Sequence, residues 1–378
     1  MEDKFSSLID MNIDHLPENC LMIIFDSFYD LQDLISSSQV CSKWRRLVQI
    51  RYDKITTLTF WLNRKRLPPP YNIYTRNIRF IENINVSNVF PNLKTLEALF
   101  YSQSKCTCRV VANVLFTGNP LNGLIASFIC HILDEKCNVD KDQQMVKYCG
   151  SITQLFMVNS EFLDLFFNKY KFGGNLKKFG HFILAPFKVF KTYEHLMPNL
   201  EHLYTHNPCA ESTRDQMILG VKELTYTLTL GDEDDWKFLS YLPDLQKLHL
   251  IITCYIEETE LLVYKKNYNV RKVSLEFETD SRKVSSVIKY ITTLYPNCTD
   301  LMIFCSQFIL TEIDTSETIR MLPNLSYFRL PPSLNNEQEQ QIIKKVTKYC
   351  QKKNRNLKLQ VSKYNDVDLF EPFALRRG

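Results

Sequence analysis

Three groups of residues have types and spacings that could do chemistry. The densest is Cys106-Thr-Cys108 with Cys130, His131 and Cys137 downstream. Thiolates and imidazoles are zinc ligands, but structural zinc takes four of them, usually as paired two-residue spacings. Cys-x-Cys lacks that gap and no second Cys-x-x-Cys follows, so these residues read as loop or buried thiols. His195, His202 and His206 form the second group. A nucleophilic triad needs an activated nucleophile and an acid that orients the base, and no Gly-x-Ser-x-Gly elbow or other marked nucleophile accompanies them. His202 and His206 read instead as strand residues facing outward. The third group is basic: Lys344, Lys345, Lys348, Lys352, Lys353 and Arg355 lie on a predicted helix over 337–355. A basic helix can touch nucleic acid or an acidic membrane, but it reads first as a solvated face near a chain end.

Composition excludes further classes. The 378 residues hold only 9 glycines, which disfavours phosphate-cradling loops. A formal charge of +4 is too small to imply nucleic acid. Hydrophobic content of 45% places the chain among folded proteins, and its length suits a small module joined to a long one. The charged start Met1-Glu2-Asp3-Lys4 has no apolar stretch behind it, so no secretory signal or membrane span is expected. The expected compartment is therefore the cytoplasm, the nucleus or both, with the 12 cysteines reduced. The sequons at Asn85, Asn297 and Asn324 then read as chance matches. No cofactor, metal or membrane partner is expected.

The elements that must do the positioning begin near the N-terminus. Pro17 suits a helix start because its missing N–H would be unpaired there, and Glu18 complements the helix dipole. Leu21 to Phe25 are five consecutive apolar residues. A helix on one core needs only a stripe at i, i+3, i+4 and i+7, so this helix is either buried on two sides or faces a partner. Asp30 can cap a second helix carrying Leu31, Leu34 and Ile35. Ser36 to Ser38 are expected to break it, with Ser38 capping a third. In that third helix Val40, Trp44 and Leu47 share a face and Cys41 and Val48 flank it. A unit of about 40 residues is at the lower limit for independent folding. It is either a cap on the larger C-terminal domain or a docking module.

The order Leu16-Pro17-Glu18, Ile24-Phe25, Val40-Cys41 and Trp44-Arg45-Arg46 resembles the F-box, over about 13–51. The serine-rich second helix departs from the family's more apolar pattern. The resemblance implies a substrate-recognition subunit of a Skp–cullin–F-box ubiquitin ligase, non-catalytic in itself. Leu16, Pro17, Ile24, Phe25, Val40, Cys41 and Trp44 would then carry or support docking to a Skp-type adaptor.

Downstream, Arg64-Lys65-Arg66 and Pro68-Pro69-Pro70 read as a loop. A motif apolar-x-x-apolar-x-apolar then recurs, often after Pro-Asn or Pro-Asp. It starts at 93, 121, 152, 176, 200, 221, 245, 270, 298 and 325, with a weaker copy at Ile55. The steps run from 21 to 31 residues. This resembles the leucine-rich repeat, whose period is roughly 20–29 residues. That implies an α/β architecture: a three-helix F-box at 10–54, a curved solenoid with parallel strands on its concave face at 55–363, and a tail at 364–378 whose Phe370 and Phe373 could fold back. The alternative is another α/β fold in which Pro-Asn-Leu marks helix-to-strand turns. In a solenoid the residues between the apolar positions line the concave face. The expected target surface there is His202, Tyr204, His206, Lys247, His249, Lys272, Glu276, Tyr327 and Arg329, with Ser274, Asp300, Met302 and Phe304 beside them. Its mixed charge favours a protein target. The alternative function is a non-catalytic leucine-rich-repeat scaffold whose F-box-like segment is only a capping unit.

Overall fold

The computed structural model describes residues 13, 16–60, 71–75, 81, 84–99, 121–127, 151–157, 163, 165–169, 171–181, 186–206, 217–230, 233–254, 265–277, 284–305, 315–331 and 336–361. The Cys106–Cys137 cluster and the tail at 364–378 lie outside them. The chain divides into two compact units, Met1–Asn175 and Leu176–Gly378.

The first unit opens with three helices: α1 (Glu18–Asp26), α2 (Leu31–Ser38) and α3 (Ser42–Asp53). Asp30 caps α2, its Oδ1 accepting from the Gln32 N–H at 2.9 Å. The serines do not break α2. Ser37 and Ser38 are its last residues, and their hydroxyls donate to the Asp33 and Ile35 carbonyls within the same helix. The cap of α3 is Cys41 and not Ser38, with its sulfur accepting from the Trp44 N–H at 3.5 Å. Leu21, Phe25, Leu31, Leu34, Leu47 and Val48 make the core of the three helices.

Parallel strands come next: β1 (Thr57–Phe60), β2 (Asn72–Thr75), β3 (Thr95–Leu99), β4 (Gly123–Ser127) and β5 (Gln154–Met157), with the short α4 (Val86–Val89) between β2 and β3. Their order is β5-β4-β3-β1-β2. The edge strand β2 was not expected from the motif; its Ile73 stands in register with Leu58. The Tyr74 N–H donates to the Tyr29 carbonyl at 2.8 Å, which ties the loop between α1 and α2 to that edge.

The second unit has eight parallel strands in sequential order: β6 (Lys178–His181), β7 (His202–His206), β8 (Glu223–Leu230), β9 (Lys247–Cys254), β10 (Lys272–Phe277), β11 (Asp300–Cys305), β12 (Tyr327–Leu330) and β13 (Lys358–Val361). Helices α5 (Pro186–Tyr193), α6 (Glu233–Leu239), α7 (Val284–Leu294), α8 (Thr315–Met321) and α9 (Asn336–Lys352) occupy the connections. Parallel neighbours require such crossovers. Each of β3 to β12 begins two residues after one of the ten motif starts.

One row explains the spacing. Phe179, Leu203, Leu224, Leu248, Val273, Leu301, Phe328 and Leu359 are consecutive register partners from β6 to β13. All but Leu359 at the edge are buried. Each side chain packs on the one a strand away, so no strand buries its apolar face by itself.

The turns before the strands are braced by asparagine. Asn92 Nδ2 donates to the Asp53 carbonyl at 2.8 Å, Asn269 to Pro243 at 2.9 Å and Asn297 to Tyr268 at 3.0 Å. Asn324 Nδ2 donates to Asn297 Oδ1 at 3.3 Å. The first of these bonds reaches back to the end of α3 and the other three reach back one repeat. Before β8 the asparagine is replaced by Gly220, whose φ of +83° favours glycine and whose N–H donates to Asp244. The three sequon asparagines thus have structural work, since Asn85 caps α4 by accepting from the Asn88 N–H.

Asn297→Ala removes a brace on both sides of one turn and should cost about 1–2 kcal/mol. Leu301→Ala, four residues on in the buried row, should cost about 2–5 kcal/mol. Urea unfolding of both variants checks the order; equal losses would show that the turn and the row are not separate contributions.

Candidate functional site

Two surfaces collect the residues expected to act. The first is on the N-terminal helices. Residues two apart on a helix differ by about 200° around its axis. With Leu21 and Phe25 fully buried, Ile23 must point away from the core, and it is 71% exposed. Val40, just before α3, is 58% exposed, and Ile13 and Ile50 are exposed as well. Buried and exposed apolar residues on opposite sides of one short helix make α1 two-sided.

The expected docking residues divide between these environments. Val40 and Pro17 are exposed, while Leu16, Ile24 and Cys41 are half-buried. Phe25 is inside. Its ring meets Trp44 edge-on at 5.2 Å between centroids and Phe28 at 5.9 Å. Trp44 is half-buried against it, so these two rings support the face from beneath. Leu16 is held from behind, its carbonyl accepting from Lys43 Nζ at 3.0 Å. Glu18 and Arg46 pair across α1 and α3. Ile23, Ile13 and Ile50 were missed as individual residues; the spacing from Leu21 and Phe25 was the signal that could have found Ile23.

Below the face lies a charged contact that no motif announces. Arg51, on the last turn of α3, is fully buried, with its Nε 3.7 Å from Asp26 Oδ1. Its three guanidinium nitrogens have no hydrogen-bond partner among the described residues. Burial pushes its pKa down, and the Asp26 carboxylate pulls the other way. Asp26 also takes Lys54 Nζ at 2.9 Å, which ties the end of α1 to the end of α3.

Residues 13–52 match the F-box-like family model. The match spans all of α1 and α2 and nearly all of α3. A search of the curated proteins finds no match to the chain. The F-box-like domain therefore carries the exposed Ile23 and Val40 and, beneath them, the Phe25–Trp44 support.

The second surface is the face of β6–β13 opposite the buried row. It is less open than the alternation of residues implies. Lys247 and Lys272 are exposed, and Tyr204, Glu276 and Tyr327 are half-buried. His202, His249, Ser274, Met302, Phe304 and Arg329 are buried, against the expectation of solvent-facing residues. The reason is the register. Tyr204, Thr225, His249, Ser274, Met302, Arg329 and Gln360 stand side by side across seven strands, about 4.8 Å apart, so each from Thr225 to Arg329 is flanked by a side chain on both sides. Only the first residue of each strand, at the end of its row, stays open to water at several strands. The side chain of His206 lies outside the described residues.

His202 Nε2 lies 3.2 Å from Thr225 Oγ1, and Nδ1 lies 3.7 Å from Glu223 Oε2. His249 Nε2 lies 3.4 Å from Glu276 Oε2. Arg329 sits 5.3 Å over the Phe304 ring, and Tyr327 donates its hydroxyl to Gln360 at 2.9 Å. Thr225, His202 and Glu223 thus follow one another as hydroxyl, imidazole and carboxylate, but Thr225 and His202 are buried and the 3.7 Å to Glu223 is longer than a hydrogen bond, so the contacts anchor the side chains. The described residues hold no group of three or more His, Cys, Asp or Glu placed to take a metal. No described helix is long and apolar enough to cross a membrane. Just beyond α9, Arg355 is not part of a free basic face, because its guanidinium donates to the Ile319, Leu322 and Pro323 carbonyls.

Asp26→Ala, which leaves the buried Arg51 charge without its half-exposed counter-ion, should lower stability more than Arg51→Met, which removes the buried charge. Denaturant midpoints of the two variants decide the order. Burial brings the His202 pKa down to about 4, with Glu223 opposing the shift. The unfolded state therefore binds the extra proton between about pH 6.5 and 4, and stability falls as pH falls through that window. The loss should approach about 3 kcal/mol, and His202→Gln should flatten that part of the stability–pH curve.

Proposed function

We propose that the protein is the substrate-recognition subunit of a Skp–cullin–F-box ubiquitin ligase. The F-box-like domain docks on a Skp-type adaptor, and through it on a cullin–RING ligase. The remaining strands form a leucine-rich-repeat solenoid that holds a target protein. The chain supplies no catalytic residue. Its contribution is proximity, keeping a target lysine near the charged ubiquitin carrier. Action in the cytoplasm, the nucleus or both accords with that role.

The observation that carries the reading is the two-sided α1. Ile23 and Val40 present apolar surface on a domain that has already buried its own core with Leu21, Phe25 and Leu47. Large exposed apolar side chains on a small domain whose core is already filled favour a surface for a partner. The repeat reading is supported by ten strands placed after ten motif copies with a constant two-residue offset. It is also supported by the sequential parallel order of the strands in the second unit.

A second reading keeps the repeats and makes the helices a cap. The Tyr29–Tyr74 backbone bond and the Asn92 bond to Asp53 favour it, because they fasten α1–α3 to the β2 edge and to the turn before β3. A cap, however, has no use for Ile23 and Val40.

Co-purification with the Skp adaptor separates the two readings. Ile23→Glu with Val40→Glu should reduce adaptor affinity by about tenfold or more while leaving the unfolding midpoint nearly unchanged, since both residues already face water. Adaptor binding that is absent in the wild-type chain, or equal in the double variant, favours the cap.

A further inference from the structure

The entry to each strand of the second unit presents two residues: the one before the strand and its first member. Across β6–β13 these sixteen positions hold seven lysines or arginines and three carboxylates. The carboxylates are largely committed. Glu201 takes Lys222 at 2.9 Å, and Glu223 takes Lys247. Asp300 accepts from the Thr299 hydroxyl at 2.6 Å. Lys358 lies 5.8 Å from the centre of the Tyr327 ring.

Four cations remain without a described carboxylate in ion-pair range: Lys177 and Lys178 at the entry of β6, and Arg271 and Lys272 at the entry of β10. Lys177 exerts a pull on Glu201 only at longer range. Arg271 spends one N–H on the Asn297 carbonyl, at 3.2 Å, and keeps its charge. Three of the four are exposed and Lys178 is half-buried. The two pairs are four strand steps apart, about 19 Å at about 4.8 Å per step. An extended peptide covers that distance in about six residues. Between the pairs lie side chains whose charges are already matched.

We propose that this rim binds an extended acidic segment of a partner protein. Carboxylates about six residues apart engage Lys177–Lys178 at one end and Arg271–Lys272 at the other. The inference rests on the reading that this unit selects a target, and it names the chemistry of the selected segment. Two separated clusters fit a peptide with two acidic positions better than the even charge spacing of a nucleic-acid backbone. The contacts are solvent-exposed, so binding weakens steeply with salt as screening shortens below about 10 Å.

The test uses the full chain and a fluorescent twelve-residue peptide with two Glu-Glu pairs six residues apart. Controls are the same peptide with Gln for Glu and a single-stranded oligonucleotide of equal charge. The acidic peptide should bind, and the Gln peptide should not. Lys177→Glu, Lys178→Glu, Arg271→Glu and Lys272→Glu together should weaken binding by about tenfold or more. Reversing Lys344, Lys345, Lys348 and Lys352 on α9 changes net charge equally and should leave binding within about twofold. Lys177→Gln with Lys272→Gln should give an intermediate loss, should the fourfold variant fold poorly. Equal binding of the Gln peptide, tighter binding of the oligonucleotide, or equal loss in the α9 variant overturns the proposal. Affinity purification separates it from its parent. Retention of the wild-type partners by the rim variant overturns the acidic-segment inference alone. A wild-type chain that retains no partner besides the adaptor overturns target selection itself.

Discussion

The row of apolar side chains shared between neighbouring strands is the contact on which the rest depends. Leu248 is buried because Leu224 and Val273 flank it in register, and the same holds for each member from Leu203 to Phe328. A strand of four to eight residues offers too little surface to fold alone. The register that aligns the apolar row aligns the opposite face as well. This is why His249 and Arg329 lose water without a domain closing over them: their neighbours are one strand away on both sides. The polar face inherits its geometry from the apolar one.

The N-terminal domain works under a different constraint. Three short helices have little interior, and Arg51 occupies part of it with a charge whose nearest counter-ion is Asp26. A buried charge held by a half-exposed partner stabilises little relative to well-packed apolar residues, but losing the partner is costly. It therefore fixes how the ends of α1 and α3 meet more than it strengthens the domain. That placement matters because Ile23 and Val40 belong to different segments. Their relative position depends on the Phe25–Trp44 contact and on the Asp26 link to Arg51 and Lys54.

Much of the fold was legible because a repeat multiplies a weak signal. A single apolar-x-x-apolar-x-apolar copy is ambiguous, yet even the weak copies at 121, 152 and 221 precede strands by the same two residues as the strong ones. What could not be read depends on register or on single contacts. Ser36 to Ser38 looked like a break, but hydroxyls that bond to carbonyls a turn back are satisfied inside a helix. The edge strand β2 has no motif, because its pairing with β1 on one side only demands less of its sequence. The burial of His202 was invisible because alternation gives the direction of a side chain, not the size of its neighbours. Of the exposed helical face, the two-sidedness of Leu21–Phe25 was legible. Its division into Phe25 within and Ile23 without needed the helix phase, which the packing of Phe25 against Trp44 sets.

These constraints separate what can change from what cannot. Positions in the apolar row are coupled to two strands each, so a substitution at Leu301 is felt at Val273 and Phe328. Asparagines in the turns are coupled to the preceding repeat. The exposed strand entries are coupled to little, unlike the buried His202 at the entry of β7: Lys272 is exposed, and its register neighbours Lys247 and Asp300 do not hold it in an ion pair. Charge at these exposed entries can therefore vary with small effect on stability, because exposed pairs contribute about 1 kcal/mol or less. A surface whose composition is nearly independent of folding can carry recognition without compromising the fold. The same logic places Ile23 and Val40 outside the helical core, where their exposed apolar surface adds little to the stability of the chain alone and can change without disturbing Leu21, Phe25 and Leu47.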